Sequence, residues 1–169
     1  MVAVLAAATL VAFSPPGGYF IIIVLGFWVW LVVGLTWLGR FIGNVAVQRP
    51  IGIRGWTTWL VAPVIVLVSA GAIHQDIPLV LRFRISEPAM TRFAKHTLVE
   101  PTGNPPDRVG LYKVGRVEML DGGVGFTVAG AGIVDESGFA YSPQGPPAEG
   151  GGNSYEHLGG DWYLWEQDF

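Results

Sequence analysis

The chain has 169 residues, 51% hydrophobic and 14% charged, with a net charge of −3 and no cysteine. The charged fraction is well below the ~25% usual in soluble domains, and the missing thiols exclude a disulfide framework, a zinc-thiolate site and a thiol nucleophile. Charge is also divided along the chain. Residues 1–75 hold three arginines and no acid, whereas residues 76–169 hold all 13 acids against seven basic residues, a balance that argues against nucleic acid as a partner.

The first element is "MVAVLAAATLVAF" (1–13). It is too short to cross a ~30 Å hydrocarbon core. It is similar to the apolar part of a secretion signal but lacks a basic stretch in front. Ala12 and Ser14 fit a small-x-small cleavage pattern, and Pro15 argues against a cut there. "SPPGG" (14–18) breaks a helix. Residues 1–18 therefore read as an interfacial or partly inserted segment, with a short third span or a cleaved leader as alternatives.

"YFIIIVLGFWVWLVVGLTWL" (19–38) is an uncharged run of 20 residues, the length a spanning helix needs. "WTTWLVAPVIVLVSAGAIHQ" (56–75) is a second such run, with Pro63 predicting a kink. Between them, residues 39–55 carry Arg40, Arg49 and Arg54. Short cytoplasmic loops collect Lys and Arg, and Trp marks the membrane interface. Trp37, Trp56 and Trp59 flank this loop. The pattern predicts a helical hairpin in the plasma membrane with a cytoplasmic 39–55 loop and everything after residue 75 outside the cytoplasm. Neither span contains an internal charge, so the sequence offers no intramembrane ion or proton site.

The part from 79 to 169 predicts a small α+β domain of one helix and an antiparallel sheet of four to five strands. "LVLRFRIS" (79–86) alternates, which predicts a strand. Ser86 then fits a helix N-cap, and Met90, Phe93, Ala94 and Leu98 recur at helical spacing. Lys95 and His96 suit the negative end of that helix. Residues 111–142 predict a three-stranded meander. Its first turn is Asp121-Gly122-Gly123, its second is "DESG" (135–138), and Val124, Phe126 and Val128 share one face. "PQGPPAEGGGN" (143–153) predicts a flexible loop. "WYLW" (162–165) predicts a final strand with Trp162 and Leu164 on one face and Tyr163 and Trp165 on the other.

Chemistry is sparse. Glycines in "GGVGFTVAGAG" lack the spacing and following helix of a dinucleotide loop, and no serine sits in a G-x-S-x-G elbow. Glu156, His157 and Asp161 are the one cluster whose types suit a base or a metal site; their spacing matches no metal motif, so no cofactor is expected. Tyr155, His157, Asp161, Trp162 and Trp165 are the candidates for an interaction surface, because Trp and Tyr dominate interface hot spots. "LRFRISEPAM" and "HLGGDWYLW" resemble, in arrangement, small two-span membrane proteins of actinobacteria that carry a short exported domain and have no assigned activity. That resemblance implies location and architecture alone. The expected function is that of a membrane-anchored interaction or accessory domain, with the lipid bilayer and an envelope protein as partners. Two alternatives remain: an envelope enzyme using Glu156, His157 and Asp161, and a subunit of a transport or secretion assembly.

Overall fold

The computed structural model describes residues 2–46, 53–101, 106–131, 136–148 and 152–167. Among them are four helices, α1 (Val2–Ala12), α2 (Phe20–Ala46), α3 (Ile53–His74) and α4 (Ile77–Val99), followed by six strands. The strands are β1 (Arg108–Val109), β2 (Tyr112–Leu120), β3 (Gly123–Val128), β4 (Glu136–Tyr141), β5 (Asn153–Gly159) and β6 (Trp162–Gln167).

Helix α2 is longer than its apolar run predicts. It continues past Leu38 to Ala46, so Arg40 is helical rather than in a loop, and the Asn44 amide donates back to the Arg40 carbonyl at 2.7 Å. Arg54 and Trp56 fall within α3, and Arg49 lies outside the described residues. Aromatic rings join the two helices near this end. Trp37 stacks on Phe41 with centroids 5.5 Å apart, and Trp59 of α3 meets both rings edge-on. The most apolar 18-residue stretch of Phe20–Asn44 has a mean hydropathy of 2.5, and none of the segment is buried. It is the one described helix that is long and apolar enough by itself to cross a bilayer. Helix α3 meets that test only jointly with α4, from which it bends by 58°.

Helix α1 lies against α2 and α3. The Trp30 indole donates to the Thr9 hydroxyl at 2.9 Å, and the Tyr19 N–H donates to the Ala12 carbonyl at 2.8 Å. The "SPPGG" break therefore folds the chain back, as its residues demand: Gly17 and Gly18 take φ of 68° and 66°.

The largest departure from the sequence reading is α4. Residues 79–86 are not a strand, and Ser86 does not cap a helix: it lies within one, its hydroxyl donating to the Arg82 carbonyl at 2.9 Å. The alternation was real but was two helical stripes superposed. Leu79 and Phe83 are four apart and buried; Ile77, Leu81 and Ile85 are also four apart and exposed. A period of four is contained in a period of two, so alternation cannot separate them. Pro78 sits in the first turn, where its missing N–H is harmless. Pro88 sits inside and removes one backbone bond, yet the helix runs through because its buried face continues as Met90, Ala94 and Thr97.

The sheet is antiparallel throughout, in the order β1-β2-β3-β4-β6-β5. It has six strands, more than expected. The β2–β3 hairpin turns at Asp121-Gly122, with Gly122 at φ 75°. Two sequence boundaries need correction. Glu136, Ser137 and Gly138 belong to β4 and not to a turn, and Asn153 already belongs to β5 and not to the preceding loop. Strand β6 is central, paired on both edges.

One face of the sheet packs under α4. Phe83, Met90 and Ala94 meet Val124, Phe126, Val128, Phe139 and Trp162. Val124, Phe126 and Val128 share the face toward α4, as predicted, and the other face of β3 is buried as well. Each large side chain enclosed there contributes about 1.5–3 kcal/mol, and the Phe83 ring lies 5.4 Å from that of Phe139 and 5.7 Å from that of Trp162. The opposite face has a second, smaller cluster of Ala140, Tyr163 and Trp165, with Leu120 and Tyr155 at its margin.

Candidate functional site

The β5–β6 hairpin carries all the candidate residues, and its pleat separates them. Tyr155 and His157 project from the face opposite α4, beside their register partners Trp165 and Tyr163. Trp162 projects under α4 and is 2% exposed. Trp165 is fully buried on the other face. The expected alternation of Trp162 and Leu164 against Tyr163 and Trp165 is present. Its consequence is that neither tryptophan offers a free surface. Tyr155 is half-buried against Trp165, and His157 and Asp161 alone of the five are exposed.

Trp165 fits on its face because its neighbours are small. Gly138 stands beside it on β4 and Ala140 one step along. A Cβ built on Gly125 would lie 3.6 Å from the indole ring. Arg116 pairs with Glu118 at 2.8 Å and with Glu136 across the sheet. Burial, with the Glu118 carboxylate adding to it, raises the pKa of the Tyr155 hydroxyl above its ordinary value. This is a packed, charge-balanced surface around a buried indole.

Glu156, His157 and Asp161 do not converge. Glu156 opposes Leu164 and is exposed on the α4 side, whereas His157 points to the other side against Tyr163, ring centroids 5.2 Å apart. The His157 Nε2 bonds the Gly160 carbonyl oxygen at 3.0 Å, closing the turn. Asp161 Oδ2 accepts from the Tyr141 hydroxyl at 3.3 Å. Burial first, and then this carboxylate, raise the Tyr141 pKa. A base, its orienting group and a substrate position must lie within hydrogen-bond reach of one another, and these three side chains do not. Among the described residues no three His, Cys, Asp or Glu side chains are grouped to hold a metal ion. His96, which the sequence places at a helix end, forms an exposed pair with Glu100 at 3.8 Å.

The structure brings together a different polar group. Arg82, on α4, donates to the Ser14 hydroxyl at 2.7 Å and to the Leu111 carbonyl, and its guanidinium carbon lies 4.5 Å above the Tyr112 ring. Three segments far apart in sequence thus meet at one cation. The Tyr112 hydroxyl is buried with no partner. Burial raises its pKa strongly, with the nearby Arg82 charge opposing the shift. The signal available in sequence was an arginine inside an otherwise apolar stretch; it was missed because a strand would have turned Arg82 outward. Beside it lies a groove of about 520 Å³ between α1, the α3–α4 bend and the β1–β2 turn. A second groove, of about 570 Å³, lies among α1, α2 and α3 and has purely apolar walls apart from Thr9 and Ser69.

Compared with models of protein families, with characterised proteins and with solved structures, the chain matches none.

Proposed function

We propose that this chain is an integral membrane protein that presents its sheet domain, outside the cytoplasm, as an accessory or interaction module of the cell envelope. The observation that carries the reading is α2: 25 residues, Phe20–Asn44, of which none is buried. An uncovered apolar surface of that length has no stable place in water and matches the thickness of a bilayer. Two further features support it. The three arginines of residues 1–75, Arg40, Arg49 and Arg54, all fall in sequence between the apolar runs of α2 and α3, the position of a cytoplasmic loop. The acids all follow α3. On this reading α2 and α3 form the hairpin, and α4 leaves the membrane within about three turns of its bend from α3.

Glu156, His157 and Asp161 face apart, so an envelope enzyme built on those three residues loses its support, and the interaction role is the reading kept. A favoured route for partners is the helical part. Gly26 and Gly34 have nothing within 4 Å of where a Cβ would stand, which leaves room for the close approach of another helix. The test is crosslinking in intact membranes followed by carbonate extraction. The protein should stay with the membrane pellet and yield one reproducible adduct. Release by carbonate, or a monomer without adducts, would refute the proposal.

A further inference from the structure

Helix α4 is apolar on two sides for its first half. Leu79 and Phe83 are buried, Phe83 in the sheet core, yet Ile77, Leu81 and Ile85 remain 52%, 61% and 62% exposed. The uncovered stripe ends at Ile85; from Glu87 on, the exposed residues include Arg92, Lys95 and His96. A helix that changes from apolar to charged along one exposed side lies where a nonpolar medium gives way to water. The change occurs one to three turns after the α3–α4 bend, at Asp76, which takes the left-handed φ of 51°.

The groove of about 520 Å³ opens beside this stripe, with Val11, Tyr19, Leu81, Ile85 and Leu111 among its walls. Its volume is that of a small-molecule site. Arg82 is the one charged residue that lines it. The partners of that guanidinium are a hydroxyl, a carbonyl and an aromatic ring, all neutral, and among the described residues no carboxylate pairs with it. By contrast Arg116 has two acids. Only two of the five N–H donors of Arg82 are used in these hydrogen bonds. A guanidinium with spare donors beside a hydrocarbon-lined groove is complementary to one kind of molecule: an anionic head joined to an apolar tail.

We propose that this groove holds one anionic lipid of the surrounding bilayer. Its phosphate pairs with Arg82, and its acyl chain lies along Val11, Leu81 and Ile85. This rests on the membrane reading given above and deepens it, since the head sits at the level where α4 emerges. Charged hydrogen bonds of this kind correspond to roughly 10- to 100-fold in affinity.

The test uses the full-length protein in mild detergent, titrated with dioleoyl phosphatidylglycerol or dioleoyl phosphatidylcholine and read by native mass spectrometry. One phosphatidylglycerol should be retained with a preference of about tenfold or more. Arg82→Gln should abolish the preference, whereas Arg84→Gln, on an exposed arginine of the same helix, should keep it. Ile85→Gln leaves the Arg82 contacts intact and should lower occupancy by both lipids while keeping the preference. That variant carries the test if Arg82→Gln fails to fold. Equal retention of the two lipids, equal losses in Arg82→Gln and Arg84→Gln, or unchanged occupancy in Ile85→Gln would each overturn the proposal. So would displacement of the lipid by inorganic phosphate alone, which would mark a site for a free anion. Carbonate extraction separates the two levels: a protein that pellets with membranes but shows no preference refutes the lipid site, and one that is released refutes the membrane reading as well.

Discussion

The indole N–H of Trp162 donates to the hydroxyl of Thr91 at 3.2 Å, tying the last strand to α4 across 71 residues of sequence. Trp162 is 2% exposed, so water cannot replace this acceptor. Thr91→Val keeps the shape and removes the oxygen. Leaving a buried donor unpaired costs about 1–3 kcal/mol. We expect the denaturant midpoint of the full-length protein, followed by near-ultraviolet circular dichroism, to fall with an unchanged slope. An unchanged midpoint would show that the indole does not depend on Thr91.

That bond also shows how far the sequence could be read. The apolar runs of α2 and α3, the β2–β3–β4 meander, the shared face of Val124, Phe126 and Val128 on β3 and the terminal strand were legible, because each rests on local periodicity or turn chemistry. Strand β5 was not, since "NSYEHLG" has no alternating apolar face; it forms because β6 offers it a partner edge. The first half of α4 was misread because two helical stripes mimic an alternating strand. Trp162 and Trp165 were correctly placed on a strand, whereas Tyr155 lies on β5; the burial of the two tryptophans depends on α4 and on the small residues Gly125, Gly138 and Ala140, which lie far away in sequence. Arg82 gained its surroundings from Ser14 and Leu111, a meeting that only the tertiary fold reveals.

Gly138 tests the packing of the central strands. A Cβ there would collide with the carbonyl oxygen of Phe126 on β3, where both sides are backbone and cannot yield. Gly138→Ala should cost about 3 kcal/mol or more, the upper range for overpacking. Gly26→Ala is the contrast: nothing stands within 4 Å, and alanine is favoured over glycine in a helix by about 1 kcal/mol. Thermal unfolding should drop in the first variant and hold or rise in the second. Similar losses in both would contradict the sheet register.

Three of the five tyrosines should resist ionisation. Burial raises the pKa of Tyr112, Tyr141 and Tyr155 above the ordinary 10. A raised folded-state pKa means that the unfolded chain loses its protons first as pH climbs, so the stability present below pH ~10 is lost above it. Alkaline titration of the phenolic absorbance should show delayed ionisation that disappears in denaturant. Asp161→Asn removes the carboxylate facing Tyr141 and should bring that hydroxyl down toward its ordinary value. A titration curve identical to that of the unfolded chain would refute the burial of these rings.

Topology can be read from two single cysteines, since the chain has none. Asn44→Cys lies near the end of α2, and Gln144→Cys lies on the exposed loop after β4. In intact cells a membrane-impermeant maleimide should label the second alone, and both after permeabilisation. Labelling of both in intact cells, or of Asn44→Cys alone, would invert or remove the proposed orientation.

The N-terminal helix should remain part of the mature protein. A signal peptidase needs an extended, accessible stretch around its cleavage site, and the small-x-small pattern here would place the cut after Ser14. Ala12 is 1% exposed and Ser14 6%. Ser14 also accepts from Arg82, and Ala12 from the Tyr19 N–H. The Trp30–Thr9 bond holds the preceding turn to α2. Each of these contacts competes with processing, and together they make α1 a wall of both large grooves. Intact-mass analysis of protein purified from membranes should show residues 1–14 still attached. Thr9→Val should loosen α1, by about 1 kcal/mol if its bond is typical of those between helices in lipid, and increase proteolysis near residue 14. A mature protein beginning at Pro15 would remove α1 from the fold and Ser14 from Arg82.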